Sequence, residues 1–164
     1  MKTLFLLRHA KSSWKDTSVR DFDRSLNQRG LKAAPAVGRL MKKRKVQPDL
    51  VLSSPAERAR QTTELVLAGA ELKVEVRHDE RIYEATVARL VEVVSQIEDD
   101  AGVAMLVGHN PGLEELLAAL TGEACSMATA SLACIELDIE KWNKVRAGTG
   151  RLEWLAKAKE LKSS

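Results

Sequence analysis

Aromatic side chains are scarce in this sequence, at 4% of 164 residues. Its core must therefore be aliphatic, and it offers no aromatic-basic face of the kind that stacks nucleic-acid bases. Cysteine occurs only as Cys125 and Cys134, and no C-x-x-C spacing points to a metal or redox centre. Without an export signal the two are expected to be reduced thiols rather than a disulfide. The opening MKTLFLLRHAK sets only five apolar or neutral residues between Lys2 and Arg8, short of the about 7 to 15 of a secretory core. No apolar run approaches the ~18 residues of a membrane span. A cytoplasmic protein with no membrane partner is expected. An excess of one charge is also lacking, with 26 Lys and Arg against 23 Asp and Glu. The net charge of +3 gives no warrant for a nucleic-acid partner. Any positive charge with a function must be concentrated locally.

What is present fits one ordinary globular core, with 45% of residues hydrophobic and 30% charged. The length suits a single domain over residues 1–164. Strand-like apolar runs at Thr3 to Leu7, Leu50 to Leu52 and Val103 to Val107 alternate with helical periodicity, which predicts an α/β fold with a mainly parallel central sheet and flanking helices. Leu31, Ala34, Val37, Leu40 and Met41 recur at helical steps and predict a helix from about Arg29 to Lys43, with Pro35 as an interior irregularity. Ser54, Pro55 and Glu57 read as N-cap, first position and capping-box acid of a second helix reaching about Ala68. A third helix is expected over Val87 to Ile97, and a fourth opens with Asn110 as cap and Pro111 first, ending near Gly122. The carboxyl third changes character. SLACIELDI alternates, and RLEWLAK follows after the polar EKWNKVRAGTG, as expected for a C-terminal antiparallel hairpin. KKRK, residues 42 to 45, reads as a solvated helix end favoured by the helix dipole rather than a nucleic-acid patch.

Open α/β sheets bind ligands at the carboxyl ends of their strands. Three predicted strand ends carry basic residues. The first delivers Arg8 and His9, the second leads through LVLSSPAERARQT to Arg58, and the third ends in AMLVGHNPGL with His109 before a helix. Taken singly, each has a plain structural account: a surface cation, a solvated helical arginine, a core or capping histidine. Their joint placement points to capture of a phosphoryl group. Guanidinium forks match phosphate oxygens, and two arginines with a second histidine suffice to hold three of them. Cationic neighbours would keep one nitrogen of His9 unprotonated at neutral pH, and a neutral imidazole is a nucleophile. In-line attack by His9 on phosphorus, then hydrolysis of the phosphohistidine by water, is the chemistry expected.

These residues resemble the histidine phosphatase superfamily, whose signature Arg-His-Gly follows the first strand and reads RHA here. The resemblance continues through RSLNQRG, SSPAERARQT and GHNPGL, in order over residues 4 to 113. Ala10 stands where the signature has glycine, and Asn27 where threonine is usual. Family roles imply His9 as nucleophile and Arg8, Arg58 and His109 as the phosphate pocket, in a phosphoglycerate mutase-like fold. The short chain and LLRHAKSSW look most like the SixA-type phosphohistidine phosphatases, small members without an extended lid. An uncovered groove suits a phosphorylated protein side chain, whereas small metabolites favour enclosing pockets.

The proton donor reports on the leaving group. An ester departs as an alkoxide and needs a positioned acid, whereas transfer between two imidazoles does not. HDERIYEA offers Asp79, Glu80 and Glu84, with Glu84 the candidate for an acid and solvated loop carboxylates the alternative for all. Lys11, Ser12 and Trp14 either line the rim or serve loop solubility and partial packing, and His78 reads as a loop residue. Histidines at 9, 78 and 109 lack close ligand spacing, so no metal or other cofactor is expected. The leading expectation is a phosphatase acting on phosphohistidine in proteins. The alternatives are a small-molecule phosphomonoesterase of the same fold, acting on a small phosphorylated metabolite, and a non-catalytic module that binds phosphorylated ligands.

Overall fold

Strand β1 (Lys2–Arg8) shows how the sheet is built, because its side chains alternate between two separate cores. Leu4 and Leu6 face one cluster, Phe5 and Leu7 the other, as the two-residue period of a strand requires. Strand β4 (Val103–Gly108) divides likewise, with Ala104 and Leu106 on the first side and Met105 and Val107 on the second. A strand buried on both faces reads as a continuous apolar run, which is why LFLL and AMLV were legible. The computed structural model describes residues 1–157.

The sheet also contains β2 (Leu50–Ser53), β3 (Glu75–His78), β5 (Leu132–Leu137) and β6 (Gly150–Ala156), in the order β3-β2-β4-β1-β5-β6. The first four in that order are mutually parallel, while β5 runs antiparallel to both β1 and β6. The expected α/β fold with a C-terminal antiparallel hairpin is what forms. Helices α3 (Val87–Ser95) and α4 (Gly112–Thr121) cover the face containing Leu4, and α1 (Gln28–Lys43) and α2 (Glu57–Ala70) cover the other. The α1 and α2 backbones come very close: a Cβ added at Gly38 would lie 2.2 Å from the Val66 carbonyl oxygen, and one at Gly69 2.5 Å from that of Pro35. Pro35 does not interrupt α1.

Several local expectations are corrected. Strand β3 was not foreseen, because KVEVRH has no apolar run; its exposed edge forms by parallel pairing with β2. Helix α2 starts at Glu57 with Ala56 as its cap, and the Ser54 hydroxyl, which accepts the Ala56 amide, lies 2.7 Å from His109 Nε2. Helix α4 is capped by Pro111, while the Asn110 side chain accepts from the Glu114 amide at 3.3 Å. The segment between β5 and β6 is not merely polar: Trp142 is fully buried and its Nε1 donates to the Ala101 carbonyl at 2.7 Å. KKRK is the solvated helix end that was expected, with Lys42 and Lys43 in the last turn of α1 and all four residues exposed; Lys42 pairs with Glu71, and the Arg44 guanidinium lies 4.3 Å from the centre of the Trp154 ring. Both cysteines are free thiols.

Candidate active site

The strands β2, β4 and β1 are adjacent and end level with one another, since Arg8 registers with Gly108 and Ser53 with Val107. The residues just beyond these ends are therefore brought to one place. Arg8 closes β1, His9 follows and donates its amide to the Gly108 carbonyl at 3.1 Å, and His109 follows β4. The His9 and His109 ring centres are 5.1 Å apart. Arg58, the second residue of α2, is 5% exposed and close enough to depress the protonation of both rings.

His9 is buried, and its Nδ1 lies 2.7 Å from the carbonyl oxygen of Ala10. A carbonyl only accepts, so Nδ1 carries the hydrogen and Nε2 keeps a lone pair. Burial, with Arg58, Arg8 and Arg24 adding to it, lowers His9 to about 4 against the opposing Ala10 contact. His109 is lowered to about 3, chiefly by burial and then by His9 and Arg58. Both rings are neutral at pH 7.

Arg8 donates through Nη1 to the Met127 carbonyl at 3.0 Å. Among the described residues, the buried side-chain nitrogens without a hydrogen-bond partner are Arg8 Nε, Arg58 Nε and His109 Nδ1. Buried polar groups are normally satisfied, and an anion presenting several acceptor oxygens is the kind of ligand such donors fit. Among the described residues, no group of three or more His, Cys, Asp or Glu is placed to hold a metal ion.

The carboxylates of HDERIYEA separate. Asp79 caps the short turn Glu80–Ile82 and pairs with Arg81 at 2.7 Å, a structural role. Glu80 and Glu84 are exposed, and Glu84 adopts φ 52° without a side-chain hydrogen bond among the described residues. His78 ends β3, exposed. Lys11 is exposed; Ser12 is buried and accepts from Arg24 Nη1 at 2.6 Å. Trp14 is 73% exposed rather than partly packed, with the Arg24 guanidinium 3.5 Å from its ring centre.

Three contributors were missed. Asp21 accepts from Arg58, Arg24 and the Tyr83 hydroxyl, and Tyr83 meets the His109 ring edge-on at 5.5 Å. VRDFDRS reads as solvated alternating charge, so nothing local in it marks Asp21 or Arg24. The two departures from the family pattern fit their places. Ala10 has no positive φ and its methyl is fully buried in the second core cluster. Asn27 caps α1, accepting from the Gly30 amide at 3.0 Å.

The sequence profile of the histidine phosphatase superfamily (branch 1) matches residues 4–86. The chain belongs to the histidine phosphatase superfamily. Among its relatives, an uncharacterised chloroplastic protein of Arabidopsis thaliana is 31% identical over 93% of this chain and 74% of its own length. A structure assigned as the phosphohistidine phosphatase SixA of Agrobacterium tumefaciens superposes with TM-score 0.82 at 30% identity, over 94% of this chain and 97% of that one. One assigned as an alpha-ribazole-5'-P phosphatase of Escherichia coli shares the fold, with TM-score 0.72 at 18% identity over 96% and 97% of the two chains. Family membership and the likeness to SixA structures support phosphatase function. Among the described residues no helix is long and apolar enough to cross a membrane.

Proposed function

We propose that this chain hydrolyses phosphohistidine in proteins through a covalent phosphohistidine intermediate on His9. The observation that carries the reading is the Ala10 carbonyl 2.7 Å from His9 Nδ1, which leaves Nε2 as the lone-pair nitrogen in a buried, cation-flanked setting. Arg8, Arg58 and His109 are the phosphate-binding groups, and their unpartnered buried nitrogens support that assignment. The 30% identity with a SixA-type protein supports the substrate class.

In the first step the Nε2 lone pair forms a bond to phosphorus as the bond to the leaving nitrogen breaks, its electron pair departing with that nitrogen. An imidazole whose other nitrogen carries a proton leaves neutral, so no carboxylic acid has to be aimed at the breaking bond. In the second step water attacks phosphorus, the bond to His9 breaks, and the pair returns to Nε2. The water proton is released and orthophosphate leaves. Two guanidinium groups offset the charge on the equatorial oxygens throughout.

The fold shared with a phosphatase of a small phosphate ester favours a second reading, a phosphomonoesterase with Glu84 as the acid. Glu84→Gln separates the two when assayed on a phosphohistidine protein and on phosphomonoesters. The expected result is phosphohistidine hydrolysis within about twofold of the parent and faster than ester hydrolysis in both proteins. Fast ester hydrolysis that drops steeply in Glu84→Gln, with phosphohistidine turned over slowly, supports the ester reading.

A further inference from the structure

The two ring nitrogens of His109 have different surroundings. Nε2 lies 2.7 Å from the hydroxyl oxygen of Ser54, while Nδ1 is buried and has no partner among the described residues. Ser54 is 0% exposed, so its hydroxyl has no bulk water to turn to. Its oxygen already accepts the Ala56 amide at 3.2 Å. The two residues directly follow neighbouring strands that are stitched together at this point, because the Ser54 amide donates to the Val107 carbonyl at 2.9 Å.

A neutral imidazole carries one hydrogen, on either nitrogen. Were it on Nε2, that nitrogen would donate to the Ser54 oxygen, which would then accept twice. The Ser54 hydroxyl hydrogen would be left buried without an acceptor, and Nδ1 would present an unmatched lone pair. With the hydrogen on Nδ1, Ser54 accepts from Ala56 and donates to Nε2, and every polar side-chain atom of the pair is satisfied except the Nδ1 hydrogen. Leaving a buried donor unmade is unfavourable, so the arrangement with fewer such groups prevails. A lone pair at Nδ1 would also repel an anionic oxygen, whereas a hydrogen there attracts one.

We infer that Ser54 is a positioning residue that holds His109 in the Nδ1–H tautomer, so that this histidine meets a phosphoryl oxygen as a donor. The inference rests on the phosphoryl-binding role proposed for His109. It gives Ser54 a function beyond shaping the loop before α2.

Two-bond 1H–15N correlation spectra of the protein labelled at histidine read the tautomer directly, and only three histidines need assignment. At pH 7 the parent is expected to show His109 with hydrogen on Nδ1 and a bare, hydrogen-bonded Nε2. Ser54→Ala should move His109 toward the Nε2–H form and weaken binding of inorganic phosphate by about 10-fold or more, the scale of a hydrogen bond to a charged group. Ser54→Thr, which keeps the hydroxyl, should restore both. A parent His109 protonated on Nε2 overturns the inference, and this spectrum decides the matter even if Ser54→Ala does not fold. A folded Ser54→Ala with unchanged tautomer and unchanged phosphate affinity overturns it equally. Because the spectrum needs no turnover, a failure of the proposed catalysis at His9 is read separately.

Discussion

Arg58 holds Asp21 with both terminal nitrogens: Nη1 donates to its backbone oxygen at 2.7 Å and Nη2 to its carboxylate at 3.0 Å. The same carboxylate accepts from Arg24 and from the Tyr83 hydroxyl. Burial alone would raise the Asp21 carboxyl, but hydrogen bonds from Tyr83, Arg24 and Arg58 outweigh it and hold the group well below the usual carboxylate range. Asp21 is thus a permanent anion that orients Arg58, and it is unsuited to donating a proton. Tyr83, pushed up to about 12 by burial and then by Asp21, remains a neutral phenol.

Asp21→Asn should therefore weaken phosphate binding by freeing Arg58 from its charged partner. With Asp21 43% exposed, the lower end of the range for charged hydrogen bonds applies, and a fall of roughly 10-fold in kcat/KM is expected. Steady-state kinetics on a phosphohistidine protein check this; an unchanged kcat/KM contradicts it.

The pH behaviour follows from the depressed histidines. His9 titrates at about 4 and His109 at about 3 in the folded chain, against about 6.5 for a free imidazole. Between those values the unfolded state binds more protons, so stability rises with pH there and is lost as pH falls from about 6.5 toward the folded values. The contribution is complete above about 6.5. NMR titration should show His9 still neutral at pH 5.5, and the urea midpoint should drop on acidification over this window. Protonation of His9 centred near 6.5 contradicts the buried, cation-flanked setting.

Much of the site was legible because it depends on strand ends. Apolar runs buried on both faces mark β1, β2 and β4, and whatever follows such runs in a parallel sheet collects at one edge, so the sequence itself points to Arg8, His9, Arg58 and His109 together. Asp21, Arg24 and Tyr83 were invisible for the opposite reason. They lie in or at the ends of single short helical turns that show no sequence periodicity, and they meet the candidate site through contacts with residues far along the chain. Strand β3 forms because β2 offers it an edge, the Ser54 hydroxyl is drawn to His109, and the Asn110 side-chain amide also donates to the Met127 carbonyl at 2.8 Å.

The requirement for glycine at position 30 is steric. A Cβ there would lie 2.2 Å from the carbonyl oxygen of Lys11, which also accepts the Asn27 amide at 2.9 Å. Gly30→Ala must displace the segment after His9, and a loss of about 1 to 3 kcal/mol is expected from such overpacking. Urea unfolding measures it, and a midpoint equal to the parent's contradicts the contact.

Asn27 should behave as an ordinary helix cap. Asn27→Ala is expected to lose about 1 kcal/mol, and Asn27→Thr to recover most of it, since either side chain accepts from the Gly30 amide. Equal stability of all three proteins contradicts the capping role.

The most direct test is to mix the protein with a radiolabelled phosphohistidine substrate, quench within a turnover and map the label. Acid-labile label on His9, absent from His9→Ala together with nearly all turnover, is the predicted result. Turnover in His9→Ala within about tenfold of the parent, or label on a different side chain, contradicts a nucleophilic His9.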